Sequence, residues 1–201
     1  LGVVADRVGQ SGEAKRLYRE CLAIRRKSGH LWGIATSLNN LGLLAHEQGE
    51  YAVARDTLQE SLGFQEQLGD QYEIANCLAN LGSTFFALEA YQEARRTFLK
   101  ALRIAIEIGS TALILELLVG VASLFVASGP EGKTRGAQIL AFVEHHPNSD
   151  TLTKNRAERG LAELSAQLLP EEIASARQVG QSSDLEPVVA EIIGEMDRGD
   201  N

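Results

Sequence analysis

A spacing of 40 residues organises this chain: Leu41-Gly42 returns as Leu81-Gly82, Ala54-Arg55 as Ala94-Arg95, Gly49-Glu50-Tyr51 as Glu89-Ala90-Tyr91, and Gly29 as Gly69 and Gly109. Self-similarity at such a period means that one supersecondary unit is copied. No copy can bury its apolar face alone, so the copies must stack into an array. The spacing extends outward to Leu1-Gly2 and to Val121-Ala122, which makes four registers with the first one cut. Leu1 falls at a mid-helix position and the sole methionine is Met196, so we read the sequence as part of a longer polypeptide.

Within one period, Ile34, Leu38, Leu41, Leu44 and Ala45 follow the spacing of one helical face. Gly49-Glu50-Tyr51 interrupts it, and Ala54, Leu58, Ser61, Leu62 and Leu68 resume it. The repeated unit is therefore a helix, a tight turn and a second helix. Gly69 suits the positive φ that ends the second helix, and Asp70 with Glu73 three positions on has the form of a capping box for the next.

These residues resemble the tetratricopeptide-repeat family. Its pattern of Leu-x-x-Leu-Gly, a Gly-x-Tyr turn and a second helix with small and aromatic positions is met by Leu38-x-x-Leu41-Gly42, Gly49-x-Tyr51, Ala54, Leu58 and Ser61. The next copy reads Leu78-x-x-Leu81-Gly82, Glu89-x-Tyr91, Ala94, Phe98 and Ala101. The small residues let the two helices of a hairpin touch, while Leu58 and Phe98 fill the space between hairpins. The resemblance implies an all-α, right-handed superhelical array of antiparallel hairpins with a concave groove. The usual period of the family is about 34 residues, so both helices are expected to be about a turn longer and the groove deeper.

Residues 1–128 are expected to form this array and residues 129–201 a helical cap over its end. After Gly129-Pro130 the register breaks, with a three-residue insertion before a helix from Thr134 to His145. Helical spacing then covers Thr153 to Leu168, Pro170 with Glu171 and Glu172 starts a short helix, and Ser183 with Glu186 caps a last one through Met196. The stretches Arg135 to Glu144, Ile173 to Gly180 and Leu185 to Val188 are similar to tails that follow repeat arrays in bacterial STAND-type signalling ATPases, LuxR-type or SARP-type regulators and some adenylyl cyclases. That resemblance implies an ATPase or other output domain in the same polypeptide.

The formal charge of −8 argues against sequence-independent phosphate-backbone binding, so no nucleic-acid partner is expected. Lys15, Arg16, Arg19, Arg25, Arg26 and Lys27 form one basic cluster, read as a solvated helix face. Cys21 and Cys77 fall at small-residue positions of the repeat and read as buried packing thiols, which points to a reducing, cytoplasmic compartment. The longest apolar stretch, Leu117 to Ala127, is too short for a membrane span.

No catalytic constellation is legible. Gly132-Lys133-Thr134 lacks the first glycine and the preceding strand of a P-loop. Glu144-His145-His146 places its imidazoles about 100° apart on a helix, without further ligands nearby; both are read as facing water. The chain is read as a non-enzyme with no cofactor and no metal.

The groove remains. Side chains pointing away from the partner helix are Thr36, Asn39, Asn40, Leu43, His46 and Glu47 in one copy, and Asn76, Ala79, Asn80, Ser83, Phe86 and Ala87 in the next. Asn40 and Asn80 precede Leu-Gly, where a carboxamide both donates to and accepts from an extended backbone. Farther on, Glu116, Val119, Gly120, Ser123 and Val126 make the same face more apolar. The reading is a protein-binding module whose ligand site is Asn39, Asn40, Leu43, His46, Glu47, Asn76, Asn80, Ser83 and Phe86, taking a protein or peptide segment, from another chain or its own. The alternative is a small-ligand sensor controlling an attached ATPase, cyclase or DNA-binding domain. The sequence does not specify an oligomeric state.

Overall fold

The computed structural model describes residues 11–198. Among them are ten helices and no strand: α1 (Ser11–Ser28), α2 (Leu31–Glu47), α3 (Tyr51–Leu68), α4 (Gln71–Ala87), α5 (Tyr91–Glu107), α6 (Thr111–Ala127), α7 (Pro130–His145), α8 (Thr151–Ser165), α9 (Pro170–Ser182) and α10 (Leu185–Arg198). The chain is an all-α helical-repeat protein and divides into two compact units between Ala94 and Arg95.

In the first unit α1 packs on α2, α2 on α3 and α3 on α4. The hairpin α2–α3 closes at Gly42, where an added Cβ would stand 2.6 Å from Leu58 Cγ. Leu58 and Ala54 are wholly buried against it. Both helices span 17 or 18 residues, the extra turn that the long period implies. Gly69 ends α3 with φ 72°, and the Asp70 carboxylate accepts from Glu73 N–H to cap α4.

Two expectations for this unit fail. Cys77 is buried, but Cys21 is exposed. Ser61, Cys21's counterpart 40 residues on, is buried and donates to Ala35 O of the helix before it. The basic face is not uniformly solvated either. Arg25 is half-buried and donates to Gly33 O at 2.9 Å and Ser37 Oγ at 2.7 Å. Its stem fills the space above Gly33, where a side chain would collide. Lys15 reaches Glu50 and Arg26 reaches Glu60, so part of the cluster ties α1 to α3.

In the second unit, a Cβ on Gly120 would stand 2.5 Å from the Phe98 ring, so α6 approaches α5 as closely as α2 approaches α3. Helix α7 starts at Pro130, four residues before the expected start at Thr134. Proline at the first helical position needs no N–H partner and has its φ preset, so the inserted residues become an extra turn rather than a loop. Gly132 and Gly136 then let α7 lie against the backbone of α6.

Helix α8 begins at Thr151, its first turn capped by Asp150, whose carboxyl is held below the usual range by the bond from Thr153 N–H. His146 is the C-cap residue of α7, with its ring 5.4 Å from Phe142. Burial and then Lys154 hold its pKa below normal; His146 is half-buried, whereas His145 is exposed, as expected of both. The Glu172 carboxylate accepts from Leu169 N–H to start α9. Ser183 does not cap α10: its hydroxyl donates to Val179 O, back into α9, and α10 begins at Leu185.

The last two helices do more than cover an end. Gly180 of α9 lies against the backbone of Ala141 and Phe142 in α7. Helix α10 buries Val189, Ile192 and Met196 and is tied to α7 by Arg135, which meets Glu191 at 2.9 Å and Glu195 at 3.1 Å. It is tied to α5 by Arg95, donating to Glu195 O, and by Arg103, paired with Asp197. It therefore returns along α5 and α7, the second helices of successive hairpins.

Two measurements check this picture. Glu89 has φ 58°, the sole positive φ at a non-glycine among the described residues, in a turn equivalent to that of Gly49. Left-handed backbone costs an L side chain about 1–2 kcal/mol, so Glu89→Gly should stabilise the protein by about 1 kcal/mol in urea unfolding. A neutral or destabilising result would contradict the turn geometry. Burial pushes the Cys77 thiol up to about 12. A thiol reagent at neutral pH should therefore label the folded chain once, at Cys21, and the unfolded chain twice; double labelling of the native state would contradict the placement of Cys77.

Candidate functional site

Helices α2 and α4 present corresponding side chains because each follows the same 40-residue pattern. Along α2, Trp32, Thr36, Leu43 and Glu47 fall on one stripe; along α4, Tyr72, Asn76, Ser83 and Ala87 do so. Trp32 is 51% exposed and Tyr72 49%, and each stands one turn before Thr36 or Asn76. They occupy the extra helical turn that distinguishes these long repeats.

The remaining polar side chains form a seam between α2 and α4. Asn80 Nδ2 donates to Asn39 Oδ1 at 3.2 Å, and His46 Nδ1 lies 3.1 Å from Thr84 Oγ1. Thr84 in turn donates to Asn80 O at 2.8 Å. The pairing thus joins Asn80 to Asn39, not to its equivalent Asn40. Asn40 is half-buried and lies about 100° round α2 from Asn39. Leu43, Asn76 and Ser83 are half-buried, Ser83 donating to Ala79 O, and Glu47 is exposed.

At the turn end of each inner helix stands a ring pair: His46 with Tyr51 at 5.3 Å, and Phe86 with Tyr91 at 5.6 Å, both edge to face. The expected site residues therefore fall into three places, namely the open stripe, the seam and the turn end. Sequence reasoning missed Trp32, Tyr72, Thr84, Tyr51 and Tyr91. For Trp32 and Tyr72 a signal existed, because they share the 40-residue spacing and precede Thr36 and Asn76 by one turn.

On the same face of α6, in the second unit, Glu116, Val119, Gly120, Ser123 and Val126 are all half-buried. Gly120 abuts Phe98 and Val126 abuts Gly136, both because the glycine leaves room for the neighbour. Glu116 is paired with Arg156 of α8 at 3.3 Å. Among the described residues, no group of three or more His, Cys, Asp or Glu could hold a metal ion. No described helix is long and apolar enough to cross a membrane. Gly132-Lys133-Thr134 lies within α7, its glycine pressed on Phe125 O.

Consecutive hairpins that turn a row of half-exposed polar and aromatic side chains to one side define a helical-repeat module. Residues 33–107 match the model of the tetratricopeptide repeat family. Repeats of this family are generally protein-binding, non-catalytic scaffolds. No curated protein matches the chain.

The seam fixes the place of one proton. The single hydroxyl hydrogen of Thr84 goes to Asn80 O, so Thr84 Oγ1 must accept from His46, and the proton sits on Nδ1. Nitrogen-15 NMR of the neutral imidazole should report the Nδ1–H tautomer; the Nε2–H form would show that the seam is wired differently.

Proposed function

We propose that the first unit is a non-catalytic protein-binding module that takes an extended segment of another protein, or of its own parent chain, across the inner faces of α2 and α4. The observation that carries this reading is the Asn39–Asn80 pair. Each carboxamide is oriented by the other, yet each keeps donor and acceptor capacity for a peptide main chain. Asn76 and Asn40 add carboxamides on either side, Leu43 and Ser83 line the floor, and His46, Glu47 and Phe86 select side chains at the turn end. The half-exposed stripe favours a chain segment over a small molecule, which needs an enclosing cavity.

Residues 129–201 act in this reading as a cap on an array formed by residues 1–128. The likeness of the tail to those of bacterial signalling and transcription regulators supports a module that works in the cytoplasm beside an ATPase, cyclase or DNA-binding domain.

The test starts from peptides selected out of a random library on the whole chain. Replacing both Asn39 and Asn80 by alanine removes the two partners of one hydrogen bond together and leaves neither orphaned, so the melting temperature should change little. Affinity for the selected peptides should fall by about tenfold or more, roughly 1.4 kcal/mol. Equal affinity in the folded double variant would refute the assignment of these residues.

A further inference from the structure

The α4–α5 turn keeps Glu89 in left-handed backbone where the α2–α3 turn has Gly49. Strained residues that persist against local preference concentrate at recognition sites, and the side chain retained here is an exposed carboxylate. Its N–H donates to Phe86 O at 2.9 Å, so it belongs to the turn that carries the Phe86–Tyr91 ring pair. Tyr91 is 45% exposed.

The preceding copy holds a cation on its turn, at the positions equivalent to Leu88 and Ala90 rather than Glu89. There the ring pair is His46–Tyr51, and the ammonium of Lys15 sits on the turn, with Nζ donating to Gln48 Oε1 at 2.9 Å and to Glu50 Oε2 at 2.7 Å. The residue 40 positions after Lys15 is Arg55, and it is turned to Asp56 at 2.7 Å instead. Among the described residues, the α4–α5 turn therefore has rings and a carboxylate but no Lys or Arg of its own chain on Glu89. Residues 28–94 contain nine carboxylates and a single Lys or Arg, Arg55; Arg95 and Arg96 follow directly, and Arg95 is engaged with Glu195 O.

We propose that this turn receives a lysine or arginine side chain of the partner protein, its charge against Glu89 and its stem or guanidinium on Tyr91 and Phe86. A cation beside both an aromatic face and a carboxylate gains from each, and its aliphatic stem covers apolar ring surface. The inference rests on the protein-binding reading of the inner faces. It adds a chemical requirement on the partner: a basic residue at the Phe86 end of the bound segment.

The test is a nitrogen-15 NMR titration of the whole chain with capped Gly/Ser peptides carrying several lysines, several glutamates or neither. The lysine peptide should shift the amides of Phe86, Glu89 and Tyr91, with an affinity that falls as salt rises. Glu89→Gln should weaken that binding by about three- to fivefold, the size of one exposed charge contact. Glu89→Gly should weaken it similarly while raising the melting temperature, a split that a merely structural role would not produce. The proposal is overturned if the lysine peptide leaves residues 86–91 unshifted, or if wild type and Glu89→Gln bind it alike. The double variant at Asn39 and Asn80 keeps the two readings apart. Shifts at 86–91 that survive in it and vanish in Glu89→Gln support the turn even if the inner faces bind nothing. A neutral peptide that shifts Asn76 and Ser83 while the lysine peptide adds nothing at 86–91 overturns the turn and leaves the inner faces standing.

Discussion

Close approach of helices at residues without side chains is the constraint from which the rest follows. Gly42 admits Leu58, Gly120 admits Phe98, and Gly132 and Gly136 bring α7 onto the α6 backbone. At each place a Cβ would stand closer than real atoms do, so the pairing of helices depends on those glycines. Because one helix of a hairpin is pinned against the other, the opposite face of α2 and of α4 is held outward. The stripe from Trp32 to Glu47 and its counterpart in α4 are consequences of that packing.

The surfaces between helices that follow one another through a glycine turn change character along the chain. Arg25, Gln65 and Ala105 stand 40 residues apart in α1, α3 and α5, and Ser37, Cys77 and Leu117 do the same in α2, α4 and α6. Between α1 and α2 the contact is an arginine hydrogen-bonded to Gly33 O and Ser37. Between α3 and α4 it includes Gln65, buried with an Oε1 that has no partner, an omission that costs about 1–3 kcal/mol. In α5 and α6 the same positions are the wholly buried Ala105 and Leu117. A repeat whose backbone plan is constant thus varies the strength of its joints through side chains alone.

The long period also sets what stands at the two ends of the inner helices. Its extra turn places Trp32 and Tyr72 at one end of the inner helices, while the ring pairs His46–Tyr51 and Phe86–Tyr91 mark the other. The polar seam lies between these aromatic ends. Glu89 sits where a glycine would be more comfortable, a conflict between side chain and backbone within an otherwise consistent repeat.

Sequence alone determined the helix pairs, their length and the glycine-ended turns. All of these follow from local spacing and from a pattern that repeats, and a repeat states the same physical rule several times. It misjudged Cys21, Arg25, the start of α7 and the role of Ser183, since each depends on which neighbour lies across from it. Only the tertiary structure decided that Asn80 meets Asn39, that Thr84 assigns the proton of His46, and that α10 returns to Arg95, Arg103 and Arg135. Those partners are 38 to 100 residues apart, and no periodicity within one helix records which side of it another helix will touch.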